Sequence, residues 1–164
     1  MAAARFDANI YFARLHRQLL EHIIRHNVLG DFAPECDIVL DDLRLIVADL
    51  IWITPEQSRA QRRIAPTRQR RDPRRSPLYV PPTLVIESVS YGHEDHDRIT
   101  KFNWYAEFGV PHYWIFDSLN RRLDCFVLTN GKYAEAATGR NDDAVRLPLF
   151  DGMTLDMAAL WRDE

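Results

Sequence analysis

The sequence predicts a mixed α/β domain, a central mixed sheet flanked by helices. Three stretches carry that reading: a strand–helix–strand unit from Thr83 to Asp117, a β-hairpin from Cys36 to Ile53, and an amphipathic helix from Asp7 to about Asn27. Strands and helices interleaved in this way bury one shared core. At 164 residues the chain, 1–164, is expected to form a single domain with enough length for that core.

In the first helix Phe12, Leu15, Leu19 and Ile23 recur at three- and four-residue steps, with Arg14, Arg17, Glu21 and Arg25 on the other side. Asp7 or Asn9 is expected to cap it and Gly30 to end it. His16 and Glu21 read first as solvated or half-buried helix residues. The hairpin pairs Cys36–Leu40 with Arg44–Ile53 through Asp41-Asp42-Leu43, and its second arm, LIVADLIWI, is apolar except for Asp49.

Residues 54–82 read as a Pro- and Arg-rich connection, with Pro55, Pro66, Pro73, Pro77, Pro81 and Pro82 between the arginines. EQSRAQRRI is expected to form a short helix and the remainder to be irregular. Residues 59 to 75 hold eight Arg and one Asp, a local charge of +7, which leaves −10 for the rest of a chain whose net charge is −3. The arginines Arg59, Arg62, Arg63, Arg68, Arg70, Arg71, Arg74 and Arg75 suit phosphate contacts, as on DNA. The competing reading is a solvated insertion.

The strand after Pro81-Pro82 contains Leu84, Val85, Ile86 and Val89, a run expected to be buried on both faces, with Glu87 at its centre. A carboxylate there is costly unless something pairs it, neutralises it or coordinates it. The helix from about Asp97 to Phe108 places Ile99, Phe102, Tyr105 and Ala106 at helical spacing. Gly109 supplies a left-handed stop, and Pro111 prevents continuation. His112–Asp117 returns as a strand. Arg121–Leu128 is a further strand, Asn130-Gly131 a turn, and Tyr133 onward an edge strand, with loop over Gly139–Asp143. The tail, LPLFDGMTLDMAALW, reads as a strand or turn and then a short helix that packs Leu160 and Trp161 inward.

Several classes are excluded on these grounds. No stretch has the uncharged apolar length of a membrane span, and the opening MAAARFDANIYF lacks a basic-then-apolar signal pattern, so a cytoplasmic protein is expected. Cys36 and Cys125 lack CxxC spacing and read as two reduced thiols. There is no Gly-rich phosphate loop and no nucleophile elbow. His93 and His96, with Glu94, Asp95 and Asp97, lack the spacing of a zinc site and read as a helix start.

What remains is a pair of acids, Asp49 and Glu87, each centred in one of the most apolar strands. Two carboxylates on neighbouring strands suit magnesium, which fills its other positions with water and substrate phosphate. Lys101, on the helix after the Glu87 strand, is the candidate to orient water and offset charge. Its alternative role is a surface pair with Asp97.

The blocks LVIESVS, Asp97–Lys101–Tyr105, GVPHYWIFD and RRLDCFVLTNGKY, in that order, resemble the Uma-two family of restriction-endonuclease-type proteins. IVLDDLRLIVADLIWI resembles its Pro-Asp strand, with Ala48-Asp49 in that place. His16 matches a recurring family position, and PLFDGMTLDMAALW resembles the family's C-terminal end. The resemblance implies a PD-(D/E)xK nuclease fold, that is, a restriction-endonuclease-like core. It also implies magnesium or manganese held by Asp49 and Glu87, and DNA as substrate. Val89 stands where the general motif has lysine, and the family's helix lysine corresponds to Lys101. The family usually opens with a Glu-Leu-Ile-Asp-Gly-like block whose glutamate joins the site. That block is expected to be missing here, with Glu21 or Glu35 as substitutes. Two functions follow: a metal-dependent DNA endonuclease, or a catalytically degenerate module on the same fold that binds DNA or assembles. A homodimer is left open, and no membrane partner is expected.

Overall fold

The computed structural model describes residues 2–68, 77–89 and 96–162. Helix α1, Ala2–Arg25, is followed by β1, Asp31–Val39, and β2, Leu45–Ile53. Helix α2 is Pro55–Arg68 and β3 is Leu84–Ser88. A π-helical turn, His96–Lys101, leads into α3, Phe102–Phe108. Then come β4, His112–Asp117, β5, Arg122–Thr129, and β6, Lys132–Arg140. The short strands β7, Ala144–Arg146, and β8, Thr154–Asp156, precede α4, Ala158–Trp161.

The six-stranded sheet runs β1-β2-β3-β4-β5-β6 in sequence order. Every neighbouring pair is antiparallel except β3 and β4, which are parallel and joined through α3, so the sheet is mixed as expected. Alternation along the strands sorts the apolar side chains onto two faces. Leu84, Ile86, Trp114 and Phe116 pack with Leu15, Leu19 and Ile23 of α1 and with Leu160 and Trp161 of α4. Val85, Tyr113 and Ile115 pack on the other face with Tyr105 and Val110, and Phe102 lies against them. The helices α1 and α3 therefore sit on opposite sides of the sheet. Arg14 and Gln18 of α1 tie that helix to the tail, at Leu160 O (3.0 Å) and Asp156 O (2.9 Å).

Several boundaries differ from the sequence reading, among them the first hairpin arm, which begins at Asp31 and not at Cys36 because residues 31–34 also pair with β2. Helix α1 begins at Ala2, so Asp7 and Asn9 lie inside it and cap nothing. It ends by Arg25, with Asn27 left-handed at φ 54°, and Gly30 instead immediately precedes β1. A Cβ on Gly30 would stand 2.5 Å from the Trp52 ring, at φ +149°, so close packing explains this glycine. Gly139 lies within β6 and not in a loop, because Val145 of β7 packs directly over it.

The largest difference is α2. It extends the expected short helix to 14 residues, so the start of the arginine-rich stretch is helical. Thr54 and Gln57 form a reciprocal capping box, Gln57 N–H to Thr54 Oγ1 (3.2 Å) and Thr54 N–H to Gln57 Oε1 (2.9 Å). Gln57 also donates to Pro81 O (2.9 Å), and Gln61 to Pro77 O (2.8 Å). Helix α2 thus runs alongside residues 77–83. These also cover the sheet's outer edge, where Leu78 bridges Ile38 of β1.

Candidate active site

The register of β2 on β3 pairs Trp52 with Leu84, Ile51 with Val85 and Leu50 with Ile86. The next step in that register sets Asp49 opposite Glu87. The ladder stops there, and the Asp49 carboxylate accepts the Ser88 backbone N–H through Oδ2 at 2.7 Å. A side chain thus occupies an acceptor position at the point where the strands part. The Asp49 carboxylate thus lies beside Glu87, which shares the α3 side of the sheet with Val85.

Glu87 is 1% exposed, and both of its oxygens are engaged. Lys101 Nζ donates to Oε2 at 2.8 Å, and the Tyr105 hydroxyl donates to Oε1 at 2.7 Å. Lysine and tyrosine four residues apart lie on one helix face, so one turn serves both oxygens. Gly109, at φ 86°, ends α3 with its N–H on Tyr105 O and Ala106 O, which fixes that turn against the sheet. The π-helical turn ends at Lys101 itself, a geometry often found at functional sites.

Burial pushes the Glu87 carboxyl up to about 7, with Lys101 pulling against that shift and Asp49 adding to it. Burial, with the neighbouring Glu87 charge, drives the Tyr105 hydroxyl far above its ordinary value, so it remains a donor at every working pH. Lys101 is 16% exposed at its side chain, and its ammonium holds a cation on Glu87 Oε2. Carboxylate oxygens are the donors a hard divalent ion takes, and one on Glu87 would have to displace the Lys101 ammonium from Oε2.

Other candidate residues are placed differently. Glu21 is exposed on α1, across the sheet from Glu87, with Arg17 at 3.9 Å, so it does not join the acids. Glu35 is exposed at φ 49° on β1, between the register pairs Pro34↔Leu50 and Cys36↔Ala48, and so stands beside Asp49 in the sheet. His16 packs against Phe32 at 5.2 Å on the α1 side, and burial lowers its pKa. Among the described residues no group of three or more His, Cys, Asp or Glu forms a metal cluster. Cys36 and Cys125 are free thiols.

Arg59, Arg62 and Arg63 are exposed on α2, Arg62 reaching Ser58 Oγ at 3.3 Å. Arg68 ends that helix. Arg70, Arg71, Arg74 and Arg75 lie outside the described residues, as do His93, Glu94 and Asp95. No described helix is long and apolar enough to cross a membrane. Helical spacing assigns Tyr105 to the core, although the Lys-x-x-x-Tyr spacing also sets its hydroxyl on the Lys101 face.

A family model for Uma2, described as "Putative restriction endonuclease", matches residues 1–158. Among solved structures, a nuclease described as putative and belonging to DUF820, from Anabaena variabilis ATCC 29413, superposes with a TM-score of 0.67 at 12% identity. That match covers 94% of this chain and 80% of the other. At that identity the likeness concerns the fold. No curated protein matches the chain.

Proposed function

The chain belongs to the Uma2 family of restriction-endonuclease-like proteins, and from that premise we propose that it is a magnesium- or manganese-dependent DNA endonuclease. The observation that carries this reading is the acid pair itself. Asp49 and Glu87 lie close together where β2 and β3 part, and Lys101 and Tyr105 close over Glu87 from one helical turn.

In this reading Asp49 and Glu87 would hold the divalent ion, which when bound would polarise the phosphodiester and lower the pKa of a bound water. Tyr105 fixes Glu87 through Oε1. The Ser88 amide fixes Asp49, so both carboxylates are oriented before substrate arrives. Lys101, on Glu87 Oε2, is the cation placed to orient the attacking water or offset charge on the phosphate. The exposed arginines of α2 supply phosphate contacts that do not read sequence.

The test is plasmid nicking with magnesium or manganese, wild type beside Glu87→Gln. Cleavage that depends on the metal and on Glu87 is the expected result. DNA binding without cleavage under any metal would instead make the protein a binding module on a nuclease fold.

A further inference from the structure

We propose that Arg122 is a second phosphate-binding group on the same face as Glu87, held in its orientation by Asp124 and Thr138. The inference rests on the nuclease reading, and it adds an anchor for the nucleic-acid backbone away from the α2 arginines.

The sheet register places it. Glu87 pairs with Ile115, and Ile115 with Asp124, while Asp117 pairs with Arg122. Glu87, Ile115, Asp117, Asp124 and Arg122 therefore point to the α3 side. Asp124 lies two strands from Glu87, about 10 Å at the usual strand spacing. Arg122 sits two residues further toward the end of the sheet at which β3 runs out. A backbone that rises about 3.4 Å per nucleotide spans that gap in roughly three nucleotides.

The arginine is built in. Arg122 Nε donates to Asp124 Oδ1 at 2.6 Å, and the Thr138 hydroxyl donates to the same oxygen at 2.7 Å. Asp124 is 2% exposed at its side chain and Arg122 is 28% exposed. One edge of the guanidinium is thus consumed by a buried carboxylate. Its terminal nitrogens make no hydrogen bond among the described residues and remain for a bidentate acceptor such as phosphate. The buried carboxylate and the Thr138 hydroxyl that shares its oxygen hold the fork in one orientation.

The test uses Arg122→Met/Asp124→Asn, which removes both charges and leaves the net charge unchanged. Binding to a short DNA duplex is followed by anisotropy in calcium, without turnover, from 50 to 200 mM salt, with thermal melts checking the fold. The double variant is expected to bind more weakly, its log–log salt slope shallower by about 0.9, the equivalent of one neutralised phosphate. Asp124→Asn alone makes the chain more positive, yet is expected to weaken binding because the fork is no longer aimed. Arg122→Lys keeps the charge, loses the fork, and is expected to weaken it too. Wild-type affinity and slope in the double variant, or tighter binding by Asp124→Asn, would overturn the inference alone. A wild-type protein that binds no duplex DNA would overturn the nuclease reading along with it.

Discussion

The Asp49 carboxylate accepts the backbone amide of Ser88 at 2.7 Å, one residue past Glu87. That bond joins the strands where their ladder ends, and in the proposed function the same carboxylate would also take the divalent ion. The two roles separate by substitution. Asp49→Asn keeps an acceptor for the Ser88 amide and loses the charge, and is expected to melt close to wild type while losing divalent-ion binding. Asp49→Ala leaves the amide without that partner and is expected to cost about 1–3 kcal/mol in urea titrations. Equal ion affinity in wild type and the Asn variant, by calorimetry, would remove Asp49 from the metal site.

Catalysis should divide between Glu87 and Lys101. Glu87→Gln preserves size and removes the charge the ion requires, so cleavage is expected to vanish with the fold intact. Lys101→Met is expected to slow cleavage by about 10²–10⁴-fold, the usual range for a group acting on a proton. Ion binding should survive that change, since the ammonium competes with a cation on Oε2 and does not hold it. Plasmid nicking and a metal titration, run on the same preparations, check both statements. Equal cleavage by all three proteins would point to a contaminating nuclease.

The α2 arginines are exposed at Arg59, Arg62 and Arg63. Replacing these three and Arg68 by Ser is expected to weaken duplex binding on every sequence. The salt slope should flatten by about 0.9 for each phosphate that is no longer neutralised. An unchanged slope would return the helix to a solvated surface feature.

The acids are legible in the sequence because an isolated charge in an apolar strand stands out against its neighbours. Asp49 and Glu87 need no spatial information to be noticed. Their partners do. Tyr105 falls on the apolar spacing of its helix, so periodicity assigns it to the core, and it is in the core; only the structure shows its hydroxyl on Glu87 Oε1. Composition makes α2 look shorter than it is, because six prolines and a run of charge resemble loop. The Thr54–Gln57 capping box and the glutamines that clamp residues 77–83 act against that composition. Gly139 reads as a breaker in sequence, and the Val145 side chain lying over it makes it a strand residue.

Gly30 offers a test of packing apart from the site. Its φ of +149° and a Trp52 ring atom 2.5 Å from any Cβ combine strain with overlap. Gly30→Ala is expected to destabilise the fold by about 1–3 kcal/mol, the usual cost of overpacking. The Trp52 fluorescence should change with it, because the ring must move or the β1 start must shift. A melt unchanged within error would mean that the turn before β1 relaxes freely.

The last expectation concerns pH, in protein stripped of divalent ions with chelator. Burial raises Glu87 from an ordinary 4.5 to about 7 in the folded state. Below pH 4.5 the carboxyl is protonated in both states and its contribution to stability is complete. Between 4.5 and 7 the unfolded chain releases the proton while the native one keeps it, so stability falls as pH rises. Above about 7 both states are ionised and the loss is complete. A shift of this size is worth on the order of 3 kcal/mol. Glu87→Gln has no such titration, so urea titrations should show the variant gaining on wild type from pH 5 to pH 8 by an amount of that order. A divalent ion should reverse the trend, because it binds the ionised carboxylate and stabilises the native state by its free concentration over Kd. A wild-type–variant difference that stays flat between pH 5 and pH 8 would mean that Glu87 is ionised throughout, with Lys101 outweighing its burial.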